Sequence, residues 1–253
     1  MLVIIILILT AVWFTNSDSI QPAREFIQNN IYVWSETQEE KLPIYCVDTD
    51  KKQIALTFDT AWGNEDIPQI LKILKQENVK ATFFILGSNV DSRKDVVKRM
   101  YEEGHYLANH GYSHTYSKIY SSPQSVLDEY NECNDKVKNA IEVPDYNSHL
   151  FRFPGGLAGG KYAEIKKEAK ELLLQNNIVN VDWNALTGDA ETNNLSVEFE
   201  MTRLTETMES KNSLVILMHD AAAKSVTADA LPQIIAKLKE EGYEFKNFYD
   251  IIK

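Results

Sequence analysis

Two histidines, His110 and His114, stand four residues apart in the segment HGYSH. This separation lets both imidazoles face one point from a helical turn or a tight loop, where they could share a divalent ion. Arg152 opens the segment RFPGG, whose proline fixes a turn and whose glycines expose backbone N–H groups that could stabilise an oxyanion. Because paired surface histidines and turns that merely end a strand also have these patterns, the neighbouring residues must decide the interpretation.

Three further polar residues stand at or after the ends of apolar runs. Asp59 ends TFD, His219 ends LVILMH, and Asp189 lies in the loop after the run Ile178–Val181. A polar residue at a strand end often serves only to reach solvent. If the strands are parallel, however, residues at their carboxyl ends converge in space, and barrel active sites are built there.

The elements that would position these residues alternate along the chain from Lys52 onward. We predict strands at Gln53–Phe58, Ala81–Leu86, His105–Ala108, Leu150–Phe153, Ile178–Val181, Leu214–Met218 and Tyr243–Phe245. We predict helices at Glu65–Glu77, Lys94–Glu103, Pro123–Ile141, Lys161–Gln175, Val197–Ser210 and Ala228–Glu241. Such alternation requires parallel strands joined by crossover helices. It indicates an α/β fold, a distorted, incomplete parallel (β/α) barrel with about seven strands. A doubly wound open sheet has the same pattern, but no glycine-rich phosphate loop follows the first strand.

The composition and the amino-terminal segment limit the classes of protein to which this chain can belong. The chain has 253 residues, of which 44% are hydrophobic, and its net charge of -11 argues against nucleic acid and anionic lipid as partners. Met1–Phe14 is almost continuously apolar, which predicts a signal peptide or membrane anchor over residues 1–15, with a buried core helix as the alternative. We therefore expect a linker over residues 16–51 and one catalytic domain over residues 52–253. Cys46 and Cys133 are expected to be structural thiols, although an exported protein could pair them.

Five segments, taken together and in order, resemble the five motifs of the polysaccharide deacetylases, which form carbohydrate esterase family 4. They are Thr57-Phe58-Asp59, His110 with His114, Arg152-Phe153-Pro154-Gly155, Trp183 through Asp189, and Leu217-Met218-His219. The resemblance extends from about residue 52 to residue 250. It is greatest to the bacterial branch that contains peptidoglycan deacetylases and sporulation-linked deacetylases.

The resemblance implies a catalytic role for four residues. Asp59 would be the general base and His219 the general acid. Arg152 would orient the catalytic aspartate, and Asp189 would tune the histidine or arginine partners.

The resemblance also implies how metal and substrate would be held. His110 and His114 would bind a divalent metal, zinc in the first place, with cobalt or nickel as alternatives. The backbone N–H of Gly155 would face the oxyanion, and Leu217 would line the acetyl pocket.

Three positions depart from the family pattern. Thr60 stands where a second aspartate usually binds the metal, and a neutral hydroxyl is a poor ligand for a divalent cation. Water, or an oxygen from the segment Asn64-Glu65-Asp66, could fill that position, although capping a helix is the more ordinary role for these residues. Gly155 replaces a frequent aromatic residue, and Ala190 replaces the usual tryptophan, whose apolar wall Trp183 or Trp62 could supply.

The sequence thus predicts a metal-dependent hydrolase that removes N-acetyl groups from N-acetylglucosamine polymers, with peptidoglycan or a chitin-like polysaccharide as substrate. It is expected to act outside the cytoplasm, either anchored to the membrane or secreted. Two alternatives stay open. The same residues could cleave O-acetyl esters on a polysaccharide, or, because of Thr60, the domain could be an inactive glycan-binding module.

Overall fold

Short parallel strands alternate with helices throughout the structure, a computed structural model that describes residues 51–60, 66–220 and 225–248. The strands are β1 (Gln53–Thr60), β2 (Thr82–Ile85), β3 (Tyr106–Asn109), β4 (Leu150–Phe151), β5 (Val179–Asn180), β6 (Ala185–Leu186), β7 (Ser213–His219) and β8 (Glu244–Phe245). The α-helices are α1 (Asp66–Gln76), α2 (Lys94–Glu102), α3 (Tyr116–Ile119), α4 (Pro123–Ile141), α5 (Ala163–Gln175), α6 (Val197–Met208) and α7 (Ser225–Glu240). A 3-10 helix spans Gly87–Ser92.

The strands form one curled sheet in the order β5-β4-β3-β2-β1-β7-β6, and β8 pairs with β1 outside this path. All of these pairings are parallel. Within the described residues, β5 and β6 lie at opposite ends of the path, so the barrel is open between them. This confirms the predicted incomplete parallel (β/α) barrel; all seven predicted strands are present, and β6 is an additional strand.

Strand β1 is central because it has neighbouring strands on both sides. It pairs with β7 from Gln53 to Asp59. On its other side, the second half of β1 pairs with β2 and the first half pairs with β8. The carboxyl end of β1 is therefore held between the ends of β2 and β7.

Alternating residues of the strands face two different cores. Ile54, Leu56 and Phe58 of β1 pack in the larger cluster between the sheet and its helices. Ala55 packs in a second cluster on the other face, with apolar residues from β2, β3, β4, β5 and β7. Because side chains alternate along a strand, Thr57 and Asp59 extend that second, inner face toward the carboxyl end. The inner face is thus apolar in the barrel and polar at its rim.

Helix α4 begins and ends with standard signals. Ser122 accepts a hydrogen bond from the backbone N–H of Ser125 at 3.1 Å, proline occupies the first helical position, and Glu142 ends the helix with φ 61°. Its residue Cys133 is a buried free thiol that donates to the carbonyl of Ile85 at 3.2 Å, in agreement with a structural role. Cys46 lies outside the described residues.

The predicted signal or anchor segment, residues 1–15, and residues 16–50 of the predicted linker also lie outside the described residues. Within the part of the chain that the structure describes, no helix has the length and hydrophobicity needed to cross a membrane.

Candidate active site

A buried ion pair between Asp59 and Arg152 forms the centre of the candidate site. Nη1 of Arg152 donates to Oδ1 of Asp59 at 2.7 Å, and the arginine side chain is fully buried. Burial acts to raise the pKa of Asp59, but the charge of Arg152, with smaller contributions from His110 and His219, lowers it below its usual value. The carboxylate is therefore ionised and is oriented by a fixed guanidinium.

Every nitrogen of the Arg152 guanidinium donates at least one hydrogen bond. Nε donates to the carbonyl of Val181 at 3.0 Å, Nη2 donates to the carbonyl of Asp182 at 3.0 Å, and Nη1 also donates to Oγ1 of Thr57 at 2.9 Å. The guanidinium carbon lies 3.8 Å from the centre of the Phe84 ring, as in a cation–π contact. The planar fork thus connects β1, β4 and the segment after β5.

The two histidines lie beside this pair. Nδ1 of His110 donates to the carbonyl of Arg152 at 2.8 Å, and its Nε2 lies 3.5 Å from Oδ2 of Asp59. Burial, the largest cause, lowers the pKa of His110 to about 4, so the ring is neutral and Nε2 carries the lone pair. The ring of His114 is centred 5.3 Å from that of His110, and His114 has a left-handed backbone with φ 52°. Both imidazoles are therefore close enough to face one ion.

These two residues fit a divalent cation only in part. Thr60 points away from them, because its hydroxyl donates to the carbonyl of Phe84 at 3.0 Å and accepts a weak bond from the N–H of Leu86 at 3.4 Å. Over residues 51–60, 66–220 and 225–248, no group of three or more His, Cys, Asp or Glu side chains is arranged to hold a metal ion. Asn64 and Glu65 lie outside those ranges, and Asp66 is described only as the first residue of α1. The described ligands are thus two imidazoles without a third.

The loop that carries both histidines is held by Glu129 of α4, a residue that the sequence did not single out. Oε2 of Glu129 accepts from the backbone N–H of Tyr112 at 2.8 Å and from that of Ser113 at 2.7 Å, while Oε1 accepts from the Ser113 hydroxyl. Glu129 is buried, so these bonds form away from competing water. The only sequence signal is an acid on the buried face of an amphipathic helix.

His219 and Asp189 form a second acid and base pair at the same rim. Oδ1 of Asp189 lies 2.9 Å from Nδ1 of His219, and Oδ2 accepts from the backbone N–H of His219 at 2.6 Å. Burial acts to lower the pKa of His219, but the hydrogen bond and charge of Asp189 outweigh it, so the pKa is raised. Thr227 of α7 adds a hydroxyl bond to Asp189 at 3.3 Å. His219 is therefore held protonated at a higher pH than a free imidazole.

In the turn after Arg152, hydrogen bonds hold most of the backbone groups, and the N–H of Gly155 is the exception among the described residues. The Tyr120 hydroxyl donates to the carbonyl of Pro154 at 2.7 Å, and Nζ of Lys166 donates to the carbonyl of Gly156 at 2.7 Å. The N–H of Gly156 donates to the carbonyl of Phe153 at 2.7 Å. Gly155, exposed and with φ 75°, has no hydrogen-bond partner for its N–H among the described residues. That N–H is available to a bound oxygen.

The remaining predicted positions line the same region. Leu217 is buried on β7 two residues before His219, so both side chains extend the inner face. The ring of Trp183 would lie 3.1 Å from a Cβ at Gly156 and 5.7 Å from the guanidinium of Arg152. Trp62, the other candidate for an apolar wall, lies outside the described residues. Ala190 is exposed.

The fold and site together define a class: an open parallel (β/α) barrel whose strand ends carry an ionised Asp–Arg pair, two neighbouring histidines and an Asp–His pair. The family model for polysaccharide deacetylases matches residues 47–175. The chain belongs to the polysaccharide deacetylase family, whose deacetylases are generally metal-dependent.

Similar proteins come from several bacteria. A peptidoglycan-N-acetylglucosamine deacetylase of Bacillus cereus is 32% identical over 204 residues, which cover 79% of this chain and 71% of that protein. The structure of a Streptococcus mutans CE4 esterase has a TM-score of 0.72 at 32% identity, covering 79% of this chain and 87% of that chain. A CE4 family pseudoenzyme from Bacillus anthracis has a TM-score of 0.67 at 28% identity, covering 83% of this chain and 68% of that chain. The chain also covers 66% of the length of Bacillus subtilis YheN and 37% of that of Listeria monocytogenes PgdA.

Proposed function

We propose that this protein is a hydrolase that removes N-acetyl groups from N-acetylglucosamine units of peptidoglycan. The observation that carries the proposal is the pairing of an ionised Asp59 with a His219 whose pKa is raised, both at the carboxyl ends of adjacent strands β1 and β7. The names of relatives in B. cereus and L. monocytogenes, which are peptidoglycan-N-acetylglucosamine deacetylases, support the choice of substrate.

Amide hydrolysis needs an activated water, stabilisation of the oxyanion and a proton for the leaving amine. Asp59, ionised and oriented by Arg152, removes a proton from the attacking water. The N–H of Gly155 donates to the oxygen that becomes negative in the tetrahedral intermediate. His219, kept protonated by Asp189, then donates its proton to the departing amine. Leu217 lies beside His219 on the inner face and contacts the methyl group of the acetyl.

A divalent cation, when bound, supplies Lewis-acid polarisation of the acetyl carbonyl. His110 and His114 would hold it, and zinc is the first candidate because imidazole nitrogen suits it, with cobalt or nickel as alternatives. The hydrogen bond from Nδ1 of His110 to the carbonyl of Arg152 leaves Nε2 free for this role.

Replacing Asp59 by asparagine tests the proposal, because the shape is kept while the base is lost. We expect acetate release from peptidoglycan fragments and chitooligosaccharides to fall by a factor of about 100 or more. Asp91→Asn is the matched control, since Asp91 is an exposed aspartate paired with Lys136. Circular dichroism would verify that both variants fold. Acetate release by Asp59→Asn at the wild-type rate would exclude Asp59 as the base.

Two other functions use the same residues. An O-acetyl esterase would release acetate faster from O-acetylated than from N-acetylated polymer, because an ester is the easier bond to cleave. An inactive glycan-binding module is favoured by Thr60, whose hydroxyl is bonded to β2, and the family includes a pseudoenzyme with 28% identity to this chain. Failure to bind zinc, cobalt or nickel at micromolar concentration, together with no acetate release, would support the binding module.

We further propose that the catalytic domain, residues 52–253, acts outside the cytoplasm. The support is the apolar segment Met1–Phe14, followed by the polar linker over residues 16–51, and the cell-wall substrate named for the relatives. Residues 1–15 would be either a cleaved signal peptide or a membrane anchor. Amino-terminal sequencing of the protein from culture medium and from membranes separates these two outcomes.

A further inference from the structure

Tyr116, at the start of helix α3, is an exposed aromatic residue beside the candidate active site. Its side chain is 41% exposed, and within the described residues it is the only large hydrophobic side chain that is exposed. Single exposed hydrophobic residues are common on proteins, so the position of this ring must decide whether it has a role.

The ring lies between two residues of the site. Its centre is 5.7 Å from that of His114, and its hydroxyl oxygen would lie 2.5 Å from a Cβ built on Gly155. Tyr120, which donates to the carbonyl of Pro154, packs edge-on against Tyr116 with ring centres 5.6 Å apart. Tyr116 thus packs against a buried tyrosine and reaches over the turn that carries the Gly155 N–H.

Gly155 leaves room for this arrangement. With a side chain at position 155, Tyr116 would have to move from its present place, and the φ of 75° is itself unfavourable for residues with a Cβ. The space where a Cβ of residue 155 would lie is therefore filled by the Tyr116 ring from another loop. On the other side of the turn, the Trp183 ring fills the space beside Gly156 in the same way.

An acetamido sugar suits this position. The two faces of a glucopyranose ring carry C–H groups, which pack well on the face of an aromatic ring, while the hydroxyl groups point outward. A sugar packed on Tyr116 would have its acetamido group next to Gly155 and His114. Tyrosine combines a large apolar face with few rotatable bonds, so ordering it on a ligand costs little entropy.

We propose that Tyr116 is the stacking wall for the N-acetylhexosamine ring that is bound at this site. The proposal rests on the proposed function, because it assumes that the ligand is an N-acetylglucosamine polymer. It makes Tyr116 a residue that determines substrate affinity, without a part in the proton transfers.

Calorimetric titration with chitotetraose tests the proposal in the full chain carrying Asp59→Asn, in which the sugar is not consumed. Adding Tyr116→Ala should weaken binding by roughly 5- to 20-fold, the range expected for losing one aromatic contact. Adding Tyr116→Phe instead keeps the ring and should restore binding to within about twofold. Tyr101→Ala is the matched control, since Tyr101 is a partly exposed tyrosine on α2 that packs against Tyr146. In the chain with Asp59 intact, Tyr116→Ala should raise KM by the same factor and change kcat by less than about threefold.

Unchanged binding in Tyr116→Ala would overturn the proposal, as would no binding of chitotetraose by the parent chain. Equal losses in Tyr116→Ala and Tyr116→Phe would also overturn it, because the hydroxyl and not the ring would then hold the sugar. If the chain with Asp59 releases no acetate but binding still depends on the ring, the proposed function fails while the stacking wall stands. Because Tyr116 is exposed, thermal unfolding of its variants should stay close to that of the parent chain.

Discussion

Replacing Arg152 by lysine should destabilise the protein strongly although the charge is kept. A lysine ammonium can still reach Asp59, but it cannot also donate to the carbonyls of Val181 and Asp182, which the guanidinium now satisfies at 3.0 Å each. Each buried acceptor left without a donor costs about 1–3 kcal/mol. For two carbonyls we expect a loss of roughly 4 kcal/mol in the free energy of unfolding, a large part of a typical domain's stability.

Urea denaturation at neutral pH measures this loss as a shift of the midpoint at unchanged slope. Arg203→Lys is the control, because Arg203 lies on α6 with its side chain 29% exposed and makes a two-point ion pair with Glu191. The same chemical change at this surface site should cost less than about 1 kcal/mol. If Arg152→Lys costs no more than Arg203→Lys, the guanidinium fork does not hold the site together as described.

Two further predictions concern His105 and Thr60. Burial lowers the pKa of His105 from 6.5 to about 4, so below pH 6.5 the unfolded chain takes up the proton first and stability falls with the pH. Between pH 7 and pH 5, the free energy of unfolding should fall by about 2 kcal/mol more in the wild type than in His105→Asn. The asparagine keeps an acceptor for the N–H of Ala81. Thr60→Asp should raise the affinity for zinc by roughly tenfold or more, measured by calorimetry, because an aspartate cannot keep the bond to the Phe84 carbonyl and adds an anionic ligand to two neutral imidazoles.

Each of these has a result that contradicts it. Parallel pH profiles of unfolding for wild type and His105→Asn would mean that His105 is not held neutral. Equal zinc affinity in Thr60→Asp and wild type would mean that position 60 does not face the ion. Thr60→Asp is also expected to lose stability, because aspartate cannot donate to the carbonyl of Phe84.

The position of the site followed from the sequence because strand period and strand direction are local signals. Asp59 stands two residues after Thr57, and His219 two after Leu217, so an alternating pattern already assigns them to one face. Parallel order then brings their strand ends together. The family resemblance implied that Arg152 orients Asp59, but residue patterns alone could not give this contact, because 93 residues separate the two and no pattern encodes a side-chain distance.

The elements that were missed are short or depend on distant partners. Strand β6 consists of Ala185 and Leu186 between the polar residues Asn184 and Thr187, so no longer apolar run marks it, and helix α3 has only four residues. Glu129 belongs to a helix that the sequence predicted correctly, but its role depends on where the loop at Tyr112 and Ser113 crosses that helix. Thr60 was expected to be a poor metal ligand for chemical reasons; the structure adds that its hydroxyl is already bonded to β2.

Because β1 is central in the sheet, the parts of the site differ in how much free energy is needed to open them locally. Its backbone is paired on both sides, to β7 along one edge and to β8 and then β2 along the other, so its amides can open only when much of the domain opens. Asp59 therefore keeps its position as long as the domain is folded. His114 lies in an exposed loop, which Glu129 holds together with the backbone N–H groups of Gly87 and Ser88, and such a loop can open at lower cost. Asp59 and His110 are thus fixed in the sheet and its buried rim, whereas His114, the second histidine of the metal position, lies on a surface loop.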